Sequence, residues 1–406
     1  MSPMKGIYSL YFFSFLFSFA HYKHEHTMNR YIEIENSDAL ATLLVPGTTL
    51  RHYAFQNIEF GREAVQCRFD DCLFFGCTMP GVMRDELGSN CCLFPKLDMP
   101  YNMFPSSLYS PAVLYEGYDY REPATFDDCY DTLIYRHYMD KGKQADDIAE
   151  TFARSLHDHS ISNALYDLLA RYDDYRIVAV MGGHALLRTD GVYRKVALIS
   201  KHLTEAGCLM VTGGGPGAME AAHLGAWLAG YSDSAIDDAI TVLAKSPSYK
   251  DDGWLSSAFS LMQAMPRVGE WCSVGIPTWF YGHEPATPFA THIAKYFDNS
   301  IREDGLLAIA KGGVIYSPGS AGTMQEIFQD AAQNHYLTCG YASPMVFLGE
   351  EYWCRTFPVY PLLQGLQMQG CYRNLILSLT DFPEAAERAV LAFVEHKEKE
   401  KFPACK

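Results

Sequence analysis

Short apolar runs alternate with amphipathic stretches over the second half of the chain. Each run is rich in aliphatic residues and is bounded by glycine, proline or polar residues, which is typical of a short buried β-strand. Stretches such as 192–206 and 218–228 carry apolar residues at helical spacing instead. The runs that predict strands are 176–183, 208–215, 272–277, 313–319, 344–349 and 375–381. Because apolar strands separated by helices are typical of parallel sheets, we predict an α/β fold with a doubly wound parallel sheet and helices on both faces.

This α/β region is predicted to occupy residues 173–396. The segment 232–266, between the second and third strands, is a mostly helical insertion, and 384–396 forms a closing amphipathic helix. Lysine and glutamate alternate beyond that helix, so 397–406 is predicted to be a charged tail.

The chain ahead of the sheet divides into two further zones. Residues 126–172 are predicted to be helical, since acidic residues open the segment and apolar residues follow at helical spacing. Residues 28–125 form a β-rich, irregular region. Its last part, 94–123, is rich in proline and tyrosine and predicts an extended loop or linker.

A five-residue period lies inside this N-terminal region. Its two registers are Cys67, Cys72 and Cys77, and Phe69, Phe74 and Met79. The period resembles a few coils of a pentapeptide-repeat β-helix, in which small and apolar side chains stack inward. An irregular pair of strands with alternating apolar residues explains the same pattern, and the sequence leaves both alternatives open.

The beginning of the chain bears on where the protein resides. The apolar segment 7–20 (residues 1–27 being the leader) ends in a small-x-small pattern, as in a secretory signal peptide. The alternative is that translation starts at Met28, which opens an ordinary polar sequence. The 12 cysteines are spread along a long chain without a CxxC pair, which favours free thiols and a cytoplasmic protein over an exported one. The segment is too short to predict a transmembrane helix, so no stable membrane association is expected.

The charge of the chain excludes one class of partner. Among 406 residues, 32 lysines and arginines stand against 48 aspartates and glutamates, which gives a net charge of −16. Nucleic-acid binding depends on clustered basic residues, so no nucleic-acid partner is expected. Cysteine shows no zinc-ligand spacing, and no metal site is predicted.

Glycine clusters follow three of the predicted strands. In open α/β sheets, ligands bind outside the carboxyl ends of the strands. Glycine lets the backbone approach a phosphate closely, and the helix that follows offers free N–H groups at its N-terminus. These loops therefore predict a site for a phosphate-bearing ligand, although tight turns between strand and helix use glycine in any case. The candidate binding residues are Gly182, Gly183, Gly213, Gly214, Gly215, Gly217, Met219, Glu220, Pro318, Gly319, Ser320, Gly322 and Thr323.

The two larger clusters resemble those of the LOG family, the nucleoside 5′-monophosphate phosphoribohydrolases, often described as lysine decarboxylase-like. GGGPGAMEA is followed along the chain by PGSAGTMQE, and the resemblance spans about 176–381 of a Rossmann-like fold, in the manner of the long members of the family. Ser320 stands where the family pattern PGGxGTxxE has its second glycine. Arg302 lies at the distance of the family's arginine, without its usual short motif. The matching positions are Pro318, Gly319, Gly322, Thr323 and Glu326.

The resemblance implies a hydrolase that cleaves the N-glycosidic bond of nucleoside 5′-monophosphates to free base and ribose 5-phosphate. Glu326 would be the catalytic carboxylate, since a carboxylate stabilises positive charge on the ribose and activates the attacking water. Arg302 would bind and orient the nucleotide. This chemistry requires no metal or organic cofactor, and the resemblance also implies a homodimer or higher homo-oligomer.

Several alternatives remain open at this point. A non-catalytic nucleotide sensor or carrier on the same fold is compatible with the motifs, and Ser320 and the long N-terminal zones favour it. A true lysine decarboxylase would need a lysine that binds pyridoxal phosphate, and no lysine stands in a matching context. Glu326 also has a structural alternative, because Thr323 and Glu326 have the spacing of a capping box at a helix start.

Overall fold

The computed structural model describes residues 31–401. The apolar segment 7–20 and the alternative start at Met28 lie outside the described residues. Two β-structures are present in the described chain: a small N-terminal one and a large parallel sheet, with helices around the large sheet.

The N-terminal structure is a stack of short parallel strands. Strands β1, β3, β5 and β6 pair in that order, and β2 pairs with β4. The bounds are β1 Ile32–Ile34, β2 Thr49–Arg51, β3 Tyr53–Gln56, β4 Arg68–Asp70, β5 Leu73–Phe75 and β6 Cys92–Phe94, with helices α1 Ser37–Leu43 and α2 Gly81–Asp85. Ala54 pairs with Leu73, and Leu73 pairs with Cys92, so these two coils each advance 19 residues along the chain, whereas the coil from Ile32 to Tyr53 advances 21.

Aromatic rings and thiols fill the inside of this stack. The rings of Phe55 and Phe74 stack with centroids 5.2 Å apart, one coil above the other. The Cys72 thiol donates to the Leu50 carbonyl (3.4 Å), and the Cys77 thiol donates to the Phe55 carbonyl (3.3 Å). Of the two alternatives for the five-residue period, the parallel stacked coils correspond to a short β-helix.

The segment 94–123, predicted as an extended loop or linker, has no helix or strand between residues 95 and 110, but it packs against the rest of the chain and does not link separate parts. This segment contains helix α3 Pro111–Leu114, and Tyr101, Met103 and Phe104 are buried. The Gln56 side chain of the β-helix donates to the carbonyls of Phe104 (3.1 Å) and of Pro105 (2.9 Å). Aromatic residues in this segment therefore pack as core and attach the β-helix to the rest of the chain.

The helical zone predicted at 126–172 is present as two helices, α4 Tyr130–Lys141 and α5 Ile148–Leu169. The Asp147 carboxylate caps α5 by accepting the N–H of Ala149 (2.9 Å). The apolar face of α5, including Ile161 and Leu165, lies in the same hydrophobic core as one face of the large sheet. The helical zone is thus packed directly onto the sheet.

The large sheet confirms the predicted doubly wound α/β fold. Its seven strands are all parallel, in the order β10-β9-β8-β7-β11-β12-β13. The strands are β7 Ile177–Met181, β8 Leu209–Thr212, β9 Ser273–Gly275, β10 His292–Ile293, β11 Gly313–Tyr316, β12 Pro344–Leu348 and β13 Ile376–Thr380. All six predicted strands are present. The prediction missed β10, since two residues carry no readable period.

Helices cover both faces of this sheet. They are α6 Gly191–Glu205, α7 Ala218–Trp227, α8 Ser234–Leu243, α9 Trp254–Ala264, α10 Asn299–Ile309, α11 Ala321–Tyr336, α12 Val359–Met368 and α13 Pro383–Lys401. Along β7, Ile177 and Ala179 belong to one hydrophobic core, and Val178 and Val180 belong to the other. This alternation follows from the two-residue period of a strand, and it explains why β7 is apolar throughout.

The charged tail predicted from residue 397 starts as helix. Helix α13 continues to Lys401, and its last turns bind the segment before β7 through ion pairs of Glu398 with Arg176 and of Lys401 with Asp173. Across residues 31–401, no helix has the length and apolar character needed to cross a membrane. The cysteines of the same residues all carry free thiols.

Candidate functional site

The glycine loops converge at the carboxyl ends of three neighbouring strands, β8, β7 and β11. The chain runs outward from β7 to β10 on one side and then returns to β11 on the other, so the strand order reverses between β7 and β11. Ligands of open α/β sheets bind in the crevice at such a reversal. The Gly183 N–H donates to the Pro318 carbonyl (3.0 Å) across this point, which brings the loop after β7 into contact with the loop after β11.

Glycine is required where these loops touch. Gly217 has φ +72°, and a Cβ placed there would lie 2.3 Å from the Gly183 carbonyl oxygen. A Cβ at Gly182 would lie 1.9 Å from the Ser317 hydroxyl. Both positions exclude side chains, which means that part of the glycine pattern serves packing between loops.

The first glycine cluster is closed. Gly213, Gly214, Gly215 and Gly217 are all buried. The Gly214 N–H donates to the Thr212 hydroxyl (2.9 Å), which in turn bonds the ring of His223 (2.8 Å). The N–H groups of Gly183 and Gly214 therefore have protein acceptors in this arrangement, while phosphate binding at these glycines stays a prediction.

His223 is the buried anchor of that loop. Its second ring nitrogen bonds the Ser273 hydroxyl on β9 (2.9 Å), and burial lowers the pKa of His223 to about 3. A neutral ring with a hydroxyl partner on each side fixes the glycine loop against the sheet. No sequence pattern indicates this role of His223, since a lone histidine on an apolar helix carries no distinguishing pattern.

The second glycine cluster is open. Ser320, Ala321 and Gly322 are exposed at the start of α11. The first backbone bond of the helix runs from the Met324 N–H to the Ser320 carbonyl (3.0 Å). The N–H groups of Ala321, Gly322 and Thr323 consequently have no partner within the helix, and they form the arrangement that favours an anion.

Ser320 does not need the backbone freedom of glycine in φ. Its φ is −113°, so this position does not require the positive φ that favours the second glycine of the family pattern. A Cβ at Gly322 would meet no atom within 4 Å, which shows that this face of the turn is free.

The capping-box alternative for Glu326 is excluded by the position of the helix start. Helix α11 begins at Ala321 after the N-cap Ser320, so Thr323 is the third residue of the helix and Glu326 the sixth. A capping box needs the hydroxyl residue at the N-cap and the carboxylate three residues later. Glu326 lies one turn too far along the helix for that role.

The Glu326 carboxylate is half-buried and accepts no hydrogen bond from the residues between 31 and 401. Burial raises the pKa of Glu326 to about 7, while the nearby Arg302 guanidinium lowers it and Glu303 raises it further. A carboxyl group that changes its protonation near neutral pH is suited to acid–base chemistry.

Arg302 is held beside both the first glycine loop and Glu326. It stands in the first turn of α10, and its Nε donates to the Ile276 carbonyl at the end of β9 (2.9 Å). A Cβ at Gly213 would lie 2.1 Å from the Nη2 of Arg302, so Gly213 is glycine because the guanidinium occupies that space. The structure brings together the two residues that the sequence singled out for catalysis.

Comparisons with known proteins leave the activity open. No family model and no curated protein matches the chain. A molybdenum cofactor binding protein from the phototrophic bacterium Rippkaea orientalis is similar in structure with a TM-score of 0.34 and 15% identity, over 53% of this chain and 94% of that one. The Moco carrier protein of Chlamydomonas reinhardtii is similar with a TM-score of 0.33 and 15% identity, over 54% and 97% of the two chains. At such identities and TM-scores the likeness carries no argument about ligand or activity.

Glu220 does not face the crevice. It is fully buried at the start of α7, and its carboxylate binds the guanidinium of Arg188, which is also buried (2.5 Å). Arg188 further donates to the carbonyls of Ser246 and Trp254, inside the helical insertion. The predicted ligand contact of Glu220 is therefore replaced by an ion pair that clamps the insertion. Met219 covers the loop, with its sulfur 2.8 Å from a Cβ placed at Gly213.

Asp158 of α5 was not predicted, yet it supports Arg302. Its Oδ1 accepts the N–H of Phe297 (3.0 Å), and its Oδ2 accepts the N–H of Asp298 (2.8 Å), directly before α10. The His157 ring bonds the same carboxylate (2.9 Å) and the hydroxyl of Tyr109 (2.9 Å). The helical zone thus holds the N-terminus of the helix that carries Arg302. An acidic residue within a helix gave no signal of this role.

Tyr352 is another residue of the site that no sequence pattern indicated, in addition to His223 and Asp158. Its hydroxyl donates to the Gly319 carbonyl and so fixes the turn before α11 from the far side. Tyr352 follows β12, the neighbour of β11, and only the order of the strands places it at this turn.

Proposed function

We propose that this protein is a hydrolase that cleaves the N-glycosidic bond of nucleoside 5′-monophosphates and releases the base and ribose 5-phosphate. The observation that carries the proposal is that the Glu326 carboxylate lies in the electrostatic field of the Arg302 guanidinium, which is bound at the carboxyl end of β9. The carboxylate has no hydrogen-bond donor of its own among residues 31–401, and its pKa of about 7 leaves much of it ionised at neutral pH.

The phosphate of the substrate would bind at the N-terminus of α11. The N–H groups of Ala321, Gly322 and Thr323 have no partner within the helix there, Ala321 and Gly322 are exposed, and the positive end of the helix dipole favours an anion. This assignment narrows the phosphate site, which the sequence motifs place on both glycine clusters, to the second cluster. The requirement for basic side chains is small, which suits a chain with a net charge of −16.

The reaction then needs only one carboxylate near the anomeric carbon. As the bond to the base lengthens, positive charge develops on the ribose, and the Glu326 carboxylate stabilises it. The same carboxylate orients and deprotonates the attacking water. Arg302 keeps Glu326 partly ionised by lowering its pKa and orients the nucleotide through its free nitrogens.

The test is a chromatographic assay of wild type and Glu326→Gln against a panel of nucleotides, including AMP and GMP. We expect wild type to release base and Glu326→Gln to lose at least about 100-fold in rate, the ordinary contribution of general acid–base catalysis. Full activity in Glu326→Gln would refute the role of Glu326. Tight nucleotide binding by wild type without any base release would identify the protein as a carrier or sensor instead.

A further inference from the structure

Three side chains from separate parts of the chain meet beside the first glycine loop. The Oε1 of Glu284, in the loop after β9, lies 3.6 Å from the Nδ1 of His184, which follows β7. The His184 ring packs edge-on against Tyr249 of the insertion, with centroids 5.9 Å apart. A Cβ at Gly215 would lie 3.7 Å from the Oε2 of Glu284, so the carboxylate sits directly against the loop.

This cluster is built and held in place. The Thr287 N–H donates to the Gly214 carbonyl (2.9 Å), which ties the loop of Glu284 to the glycine loop. The Arg188 N–H donates to the Pro247 carbonyl (3.1 Å), which fixes the turn that carries Tyr249. Burial and the Glu284 carboxylate raise the pKa of Tyr249, as expected if its hydroxyl lies in the field of that carboxylate.

The Glu284 carboxylate retains acceptor capacity. Its two nearest basic groups, His184 at 3.6 Å and His283 at 3.9 Å, both lie beyond hydrogen-bond distance. About 19% of its side chain is exposed to solvent. Glu284 lies against Gly215, and Arg302 lies against Gly213. These two glycines are two residues apart, and two residues span at most about 7 Å. Glu284 therefore lies within about the length of one nucleotide of Arg302.

Resting on the proposed function, we infer that Glu284 forms a sugar-binding subsite that accepts hydroxyl donors and rejects a second anionic group. A carboxylate is an acceptor only, and it suits the adjacent hydroxyls of a ribose. The same charge repels phosphate from the Gly215 side of the crevice. The crevice is divided into an anion-accepting half at the N-terminus of α11 and an anion-rejecting half at Glu284, which selects monophosphates of intact ribose.

The test compares the binding of three probes that need no turnover: inorganic phosphate, pyrophosphate and ribose 5-phosphate. Calorimetry at fixed ionic strength is carried out on wild type, Glu284→Gln and the control Glu395→Gln. Glu395 is an exposed residue of α13, whose next turn binds Arg176 at the amino end of β7. The control removes the same charge from the opposite edge of the sheet.

In wild type we expect ribose 5-phosphate to bind more tightly than phosphate, and pyrophosphate no more tightly than phosphate. In Glu284→Gln, the advantage of ribose 5-phosphate should fall about tenfold, and the affinity for pyrophosphate relative to phosphate should rise about tenfold. Glu395→Gln should behave as wild type. A merely structural role of Glu284 would weaken all three probes together.

Equal probe ratios in wild type and Glu284→Gln would overturn the inference, as would the absence of phosphate binding to both. These outcomes are separate from a failure of the proposed function. If Glu284→Gln lowers the advantage of ribose 5-phosphate and raises the relative affinity for pyrophosphate, but wild type releases no base from nucleotides, the protein has this subsite and lacks the hydrolase activity. A protein that cleaves AMP with unchanged ratios is a hydrolase in which Glu284 has another role.

Discussion

The guanidinium of Arg302 occupies the space beside the α-carbon of Gly213. The Nη2 atom lies 2.1 Å from the position of a Cβ at that glycine, and the Nε of the same side chain is bound to the Ile276 carbonyl. The arginine therefore cannot retreat without breaking a hydrogen bond. The guanidinium fills the space that a side chain at Gly213 would need, although 89 positions separate the two residues in the sequence.

Gly213→Ala should displace Arg302 and lower kcat/KM for nucleotide cleavage by about 100-fold, since a shift of about 1 Å in a positioning group has an effect of that size. The matched control is Gly365→Ala on α12, because a Cβ there meets no atom within 4 Å and the position is outside the proposed site. Steady-state kinetics and thermal unfolding of both variants make the comparison. Equal activity of the two variants would contradict the proposed role of the space beside Gly213.

The pH profile should reflect Glu326. With a pKa of about 7, the carboxylate is lost as the pH falls through neutrality, so log kcat/KM should decline below about pH 7. Arg302 lowers this pKa, so Arg302→Gln should move the midpoint to higher pH in addition to slowing the reaction. The measurement is kcat/KM from pH 5 to 9 for both proteins. A flat wild-type profile, or an unmoved midpoint in Arg302→Gln, would speak against this pair.

Asp330 should make folding stability depend on pH. Burial raises its pKa from 3.8 to about 7, although the hydrogen bond from Tyr316 (2.7 Å) opposes the shift. Between these two values the unfolded chain binds fewer protons than the native protein, so the free energy of unfolding falls as the pH rises and levels off above about 7.

Asp330→Asn removes that titration and should flatten the pH dependence between pH 5 and pH 8. Glu326 contributes a slope of the same sign because its pKa is raised, and His223 contributes a slope of opposite sign up to about pH 6.5 because its pKa is lowered, so the comparison is between the slopes of wild type and variant. Urea unfolding at the two pH values measures the difference. An unchanged slope in Asp330→Asn would mean that Asp330 is not the buried titrating group.

Asp158→Ala should weaken both stability and catalysis. It leaves the N–H groups of Phe297 and Asp298 and the ring of buried His157 without their acceptor, at a cost of about 3 kcal/mol in the free energy of unfolding. Because these N–H groups immediately precede α10, kcat should fall through Arg302. The control is Asp167→Ala on the same helix, where the side chain is exposed. Unfolding and kinetic measurements that show Asp158→Ala behaving like this control would refute the role.

The regular part of the fold could be predicted because its signals are local. Six strands carry apolar runs, and α6 and α7 carry the helical period, so their positions follow from neighbouring residues alone. The packing of the segment 94–123 could not be predicted, because it depends on contacts with distant parts of the chain. Its proline and tyrosine content is typical of a loop, but its aromatic side chains are buried by α5 and by the β-helix, which lie far away along the chain.

In the candidate site, too, local features could be predicted and contacts between distant residues could not. The sequence motifs identified Glu326, Arg302 and both glycine clusters, because residue type and spacing carry that information. They did not distinguish an N–H that is free, as at Gly322, from one that is already bound, as at Gly214. A hydrogen-bond partner such as Thr212 or Pro318 is decided by which strands become neighbours.

By itself, the sequence determined the α/β class, the doubly wound parallel sheet, and the residue types that a phosphate ester and a glycosidic bond require. Only the tertiary structure decided which glycine cluster is open, that Glu220 belongs to a buried ion pair with Arg188, and that Glu284 stands against Gly215. The physical reason is that burial and electrostatic environment depend on neighbours in space. The pKa of Glu326 rises to about 7 because of what packs around the carboxyl group, and no local pattern records that packing.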